Sequence, residues 1–340
     1  MASTTEFWGH GWKKEVATNY DYKGRLNTKS HRWFKNICRM KQMNLKSYLD
    51  AKLNYYYKEV INGDGFLYAR GTNSNVLLTA HMDTVHEKNG RVCKDIYEYK
   101  KNGKTILSSP QGIGGDDRCG IYTILKILAD TDFRPSILFC EDEEIGGVGS
   151  SKFCKTEYVK ELEGLNYMIE IDRANKNDCV FYDDDNKEFQ RYIEDVSETE
   201  LSYGSFSDIC NLSEATEVSS VNLSCGYYNA HTTSEYVVFE ELELCIERIK
   251  TLLEVNQADD KKFKYEVERW YSYNNNNYYG YYGYNNNIKN SEVCVEFSYE
   301  EDGKTCYDCT IGYSVEECVG MFLIDHPDLS WNKVLDYFEC

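Results

Sequence analysis

The chain has 340 residues, 41% of them hydrophobic, which is enough to bury the core of one or two domains. Mean hydropathy is −0.62, and no apolar run approaches the ~20 residues that cross a bilayer, so a helical membrane protein is not expected. The formal net charge of −19 is uneven: residues 1–50 hold 10 basic and 4 acidic side chains, net +6, which leaves −25 for the other 290. A body this acidic is a poor partner for nucleic acid, where phosphate neutralisation supplies much of the affinity. The basic stretch reads instead as a solvated arm or helix face lying on the acidic body. The opening residues lack the apolar stretch of a secretory signal, and 14 cysteines are scattered without regular spacing, so reduced thiols in a cytoplasm are expected.

In chain order, residues 1–42 form the basic N-terminal arm. Leu45, Leu49, Leu53 and Tyr56 then recur at helical spacing and predict a helix over 43–60. Turn residues 62–65 lead into a strand at 66–70, and NVLLTA at 75–80 is a short, continuously apolar strand of the kind buried on both faces. Similar strands are expected at 136–140, 167–171 and 219–225, with helices over 117–128, 151–162, 206–212 and 238–255. Strands alternating with helices predict a three-layer α/β domain with a mixed central sheet flanked by helices, spanning 43–258. Residues 259–290 include seven Tyr and seven Asn within 271–287 and read as a low-complexity linker or insertion. Residues 291–340 read as a small β-rich appendage ending in a helix near 331–338. Its Cys294, Cys306, Cys309 and Cys318 are read as free thiols, with a structural zinc as the alternative.

The chemistry-bearing residues follow the apolar strands. His81-Met82-Asp83 ends the first, Glu143-Glu144 follows the second and Asp172 follows the third; Asp116-Asp117 opens a helix, and His231 comes after the fourth strand. Ligands of open α/β sheets bind outside the carboxyl ends of the strands. Each element alone has a plain structural reading, as a helix cap, a core histidine or an acidic loop. Together, histidines and carboxylates without cysteine suit divalent zinc, manganese or cobalt, and Asp116 or Asp117 is placed to bridge two ions. Paired Glu143-Glu144 allows one carboxylate to bind metal while its neighbour takes a proton from water.

HMDTV, GIGGDDRCG, EDEEIGGVGS, EIDR and NAHTTSEYV together resemble the co-catalytic zinc exopeptidases, the peptidase T and glutamate carboxypeptidase group with the related aminopeptidases, over residues 43–255. The resemblance implies a phosphorylase-like α/β fold and two divalent ions, zinc or alternatively manganese or cobalt. It implies that His81 binds one ion and Asp83 orients His81, and that Asp116 bridges both ions across a cis Asp116–Asp117 peptide. Glu143 is then the general base, Glu144 a ligand of the second ion, Asp172 a ligand of the ion shared with His81, and His231 the last ligand, beside Glu144.

Many members of that group insert a lid or dimerisation domain. Here 33 positions separate Asp83 from Asp116 and 59 separate Asp172 from His231, too few for either insertion. A lidless site with surplus acid at Glu141 and Asp142 suits a substrate with a free amino group. The expectation is therefore a cytoplasmic aminopeptidase acting on peptides. The alternatives are a carboxypeptidase or amide deacylase, with Arg118 or Arg173 gripping a carboxylate, and a non-catalytic partner-binding chain. Oligomeric state stays open.

Overall fold

The computed structural model describes residues 31–267 in full and, outside them, only the backbone of residues 5–8, 12–15, 29–30, 293–301, 304–312 and 334–339. The chain divides into two compact units, Met1–Trp270 and Tyr271–Cys340. In the first, β1 (Thr5–Trp8) and β2 (Trp12–Glu15) pair as an antiparallel hairpin. Helices α1 (Lys29–Cys38) and α2 (Gln42–Tyr56) follow, then strands β3 (Val60–Gly63), β4 (Phe66–Ala69) and β5 (Val76–His81). A short α3 (Val85–Lys88) precedes β6 (Tyr97–Lys101), β7 (Lys104–Ser108) and the long α4 (Gly115–Asp130). Next come β8 (Ser136–Cys140), a single 3-10 turn at Glu143–Ile145, α5 (Val148–Phe153) and α6 (Val159–Leu162). The unit continues with β9 (Tyr167–Arg173), β10 (Asp178–Val180), α7 (Lys187–Ser197), β11 (Glu200–Leu201) and α8 (Asp208–Thr216). It closes with β12 (Ser220–Ser224), β13 (Tyr227–Tyr228), β14 (Tyr236–Val238) and α9 (Phe239–Asp259).

Eight strands form one mixed sheet in the order β11-β10-β12-β9-β5-β8-β4-β3. Its centre, β12-β9-β5-β8, is parallel, and antiparallel strands flank it on both sides. Side chains of a strand alternate between faces, and the two cores follow that alternation. Val76, Leu78 and Ala80 of β5 join Ile169 and Ile171 of β9 and Ile137 of β8 in one core, under α1, α2, α4, α7 and α9. Leu77, Met168 and Leu138 face the other side and pack under α5, α6 and α8. These strands are mostly apolar because helices cover both faces, with Thr79 and Glu170 buried among the apolar side chains. A second sheet, β13-β14-β7-β6, is antiparallel and feeds Leu107, Tyr227 and Val237 into the larger core.

The expected three-layer fold is present. The expected helix over 151–162 is instead two helices, α5 and α6. The Thr156 hydroxyl donates to the Phe153 carbonyl (2.7 Å), and the turn tightens into i→i−3 bonds at Lys155 and Thr156, which stops the first helix. Helix α8 begins at Asp208 rather than 206. The suggested boundary at 42/43 falls after the first residue of α2, and α1 and α2 both put side chains (Phe34, Ile37, Leu45, Leu49) into the core. In the second unit β15 (Val293–Glu301), β16 (Lys304–Gly312) and β17 (Val334–Glu339) make an antiparallel sheet in the order β16-β15-β17. The helix expected near 331–338 is therefore a strand at 334–339. VLDYFE is rich in β-formers, and pairing with β15 decides its conformation. The Tyr/Asn-rich segment and Cys318 lie outside the described residues, as do the side chains of Cys294, Cys306 and Cys309. Among the described residues no helix is long and apolar enough to cross a membrane.

Ile169, fully buried on the central strand, tests this packing. Ile169→Ala is expected to cost about 2–5 kcal/mol, read as a lower urea midpoint with an unchanged slope. A cost below about 1 kcal/mol would contradict the central position of β9.

Candidate metal centre

The rim at the carboxyl ends of the parallel strands gathers the expected side chains. His81 is the last residue of β5, Asp172 is the last but one of β9, and Glu143 and Glu144 occupy the 3-10 turn after β8. Asp116 lies in the first turn of α4, and the Asp116–Asp117 peptide is cis. His231 arrives by a different route from the expected one. It stands not at the end of β12 but on the turn between β13 and β14, in the second sheet, with a left-handed φ of 65°.

Asp116 joins two groups of potential ligand atoms. Its Oδ1 lies 2.9 Å from His81 Nε2, which is also 3.5 Å from Asp172 Oδ1. Its Oδ2 lies 3.2 Å from His231 Nε2, which is 3.0 Å from Glu144 Oε2. Within each group (His81, Asp116, Asp172, and Asp116, Glu144, His231) the atoms lie within 4.8 Å of one another, so each could hold a metal ion. Separations of 2.9–3.5 Å are close to the edge, about 3.3 Å, of a tetrahedron of ligands each ~2 Å from zinc. The donor chemistry fits too, since two imidazoles and three carboxylates meet with no thiolate among them.

The electrostatics show the excess of anion. Burial disfavours charge on His81, yet Asp172, Asp116 and Asp83 drive its affinity for a proton well above the ordinary range. Hydrogen bonding to Asp116 and Glu144 raises His231 to about 10. Burial pushes the Asp172 carboxyl up, and the charge of Asp116 adds to this. Asp116 is itself held low, because His231 and His81 outweigh its burial. Glu143 is pushed up to about 8, chiefly by burial, with His81 opposing. Carboxylates crowded out of water in this way take up positive charge from whatever supplies it.

Asp83 ties the rim together. Oδ1 lies 3.2 Å from His81 Nδ1 and accepts the Glu143 N–H (2.9 Å); Oδ2 accepts the Glu144 N–H (3.2 Å) and pairs with Lys88. Asp117 turns inward, accepting the backbone N–H of His81 and of Gly120. A Cβ at Gly120 would lie 2.2 Å from the Ile171 carbonyl oxygen and 2.6 Å from Asp117 Oδ1, so only glycine lets α4 come this close to β9.

Two supporting residues escaped sequence reasoning. Glu235, fully buried, accepts the backbone N–H groups of Gly114 (2.9 Å) and Asp116 (3.0 Å) and pairs with His86 Nε2 (2.7 Å). Both residues sit inside the quoted stretches or directly beside them, but a glutamate and a histidine near a motif carry no signal of burial. Arg118 neither faces the rim nor pairs with Asp117; its guanidinium donates to the carbonyls of Met82 (2.5 Å) and Met40 (3.1 Å). Glu141 pairs with Lys46 at 2.6 Å, and Asp142 lies 3.7 Å from Lys88 Nζ, so both surplus acids have a cation beside them. Arg173 Nε lies 3.6 Å from Asp178 and makes no hydrogen bond. The nine cysteines of the described residues are free, and burial pushes the Cys119 thiol up to about 12, as befits a core residue.

No protein-family model matches the chain, and no curated protein sequence matches it. Solved structures do. Aminopeptidase PepT from Bacillus cereus matches with a TM-score of 0.53 at 15% identity, over 66% of this chain and 97% of that one. A tripeptidase from Staphylococcus aureus matches at 0.52 and 13% identity, over 67% and 98%. A TET aminopeptidase from a marine-sediment thaumarchaeon matches at 0.52 and 12% identity, over 68% and 99%. The mixed α/β body of this chain therefore has the fold of these exopeptidases.

Proposed function

We propose that the chain is a dinuclear metal-dependent exopeptidase that acts as an aminopeptidase. The observation that carries the reading is Asp116, whose two oxygens each belong to a different histidine–carboxylate group. His81, Asp116 and Asp172 would hold one divalent ion, and Asp116, Glu144 and His231 the other; zinc, manganese or cobalt suits both sets. Such a pair, when bound, polarises the scissile carbonyl and lowers the pKa of water.

The remaining chemistry belongs to the chain. Asp83 fixes the His81 ring through Nδ1, which leaves Nε2 turned to Asp116 and Asp172. The same carboxylate holds the backbone of Glu143 and Glu144, so that one side chain ligates while the other stays free for protons. Glu143 at about 8 is a far better proton acceptor than an ordinary carboxylate, and positive charge bound beside it brings that value down towards neutrality. It takes the proton of the attacking water and hands it to the leaving amine. Glu235 holds the Asp116 backbone in place from beneath.

Support for the aminopeptidase reading comes from openness. The intervals before Asp116 and before His231 are spent on α3, β6, β7, β10, α7, β11, α8 and β12, all parts of the body, and no lid rises from either. A free amino group would meet Asp142, whose neighbour Lys88 is shared with Asp83. The solved structures of like fold include aminopeptidases and a tripeptidase. A carboxypeptidase or amide deacylase on the same scaffold is the second reading; Arg173, the cation it would use on a substrate carboxylate, lies 3.6 Å from Asp178.

Purified protein is expected to carry about two divalent ions per chain by elemental analysis and to cleave free-amine peptides but not N-blocked ones; cleavage of blocked substrates would select the second reading. Neither metal nor turnover after supply of zinc, manganese or cobalt would overturn both. Glu143→Gln should lower kcat by about 10²–10⁴-fold with metal content unchanged, and retained hydrolysis would show the base is misassigned. Glu235→Gln, which keeps shape but removes charge, should weaken metal binding by about 10–100-fold in chelator competition; wild-type affinity would remove Glu235 from the design.

A further inference from the structure

Behind the rim, on the α1 side of α3 and α4, lies a cavity with about 280 Å³ of empty space counted out to its mouth, and its enclosed depth is only ion-sized. Arg118, Lys41, Arg91, His86, Cys38 and Cys93 contribute to its walls. Its deepest charge is Arg118, 2% exposed. The guanidinium donates to two carbonyls, but its Nε has no hydrogen-bond partner, and no carboxylate among the described residues forms an ion pair with it. The His86 Nδ1, also buried, has no partner among the described residues either. Lys41 and Arg91 are exposed at the mouth and likewise lack an ion-pair partner among the described residues.

The walls hold one carboxylate and two thiols that could balance this charge. Glu87 accepts the Gln42 N–H (2.8 Å) at the start of α2. The thiols of Cys38 and Cys93 are pushed up by burial and so carry no charge. Three cations thus line a space with one committed carboxylate. Arg118 feels the carboxylates of Glu87, Asp83 and Asp117, but none touches it, and a buried guanidinium without an anion in contact is costly.

We propose that this cavity binds a small monovalent anion of the halide type, seated against Arg118 with Lys41 and Arg91 at the mouth. A space this small suits a halide better than a larger oxyanion or carboxylate. The occupant also touches the frame of the metal centre. Arg118 grips the carbonyl of Met82, between His81 and Asp83, while His86 leads through Glu235 to the Asp116 backbone. The site needs no catalysis to exist and stands independently of the proposed activity.

The test uses the full chain at constant pH and ionic strength, comparing sodium chloride and bromide with sodium gluconate, whose anion is too large to enter. Halide is expected to raise Tm by a few degrees in a saturable way, and bromide-grown crystals to show an anomalous peak beside Arg118. Lys41 and Arg91 are exposed, so the Lys41→Ala, Arg91→Ala double variant should fold, and its half-saturating halide concentration should rise about tenfold. Equal Tm in gluconate and chloride, or a cavity without bromide, would overturn the proposal. So would a halide effect that the double variant leaves unchanged, since the anion would then sit elsewhere. Arg118→Met, should it fold, is expected to lose the effect altogether.

Discussion

One carboxylate holds the rim together. Asp83 is buried, and desolvation alone would protonate it, yet the contacts of His81 and Lys88 keep it well below the usual carboxylate range. Its oxygens reach the backbone of Glu143 and Glu144 as well, so one side chain, whose Oδ1 also lies 3.2 Å from His81 Nδ1, joins the end of β5 to the turn after β8. Parallel neighbours such as β5 and β8 bring their ends to one edge of the sheet, but nothing in strand pairing sets the distance between the loops beyond them. Asp83 sets it.

A second layer of support works on the loop before α4. Asp117 faces into the body and receives the His81 N–H, while Glu235 receives the Asp116 N–H from the opposite side. The loop is thus clamped between a residue of the large sheet's frame and one from the second sheet. Charge placed this deep must be matched locally. That explains why His86 lies on Glu235, and why Gly120 is needed for Asp117 to fit under Ile171.

Much of this was legible from residues alone, and for definite reasons. Strands buried on both faces are continuously apolar, so 75–80, 136–140 and 167–171 could be placed and their ends recognised as the rim. The candidate ligands then followed from chemistry at those ends. The β6–β7 hairpin was missed although Asn102-Gly103 is a strong turn signal, because its strands YEYKK and KTILS are mostly polar. Helix α1 was hidden by its basic composition; Phe34 and Ile37 are buried in a stretch that reads as a charged arm. Roles that depend on burial, as with Glu235 and Arg118, have no local pattern. The position of His231 on the second sheet required knowing which strand pairs with β7. The strand at 334–339 shows tertiary pairing overriding a short amphipathic run.

The two ligand groups also differ in their contact with water. The His81 side chain is fully enclosed, while that of His231 is 55% exposed on a turn of the smaller sheet. On the proposed reading, the two positions are therefore kinetically unlike. An ion held by His81 and Asp172 would sit deeper and exchange more slowly than one held by His231, whose ring is half in water. A chain with one slow and one fast position passes through a half-loaded form whenever metal is scarce.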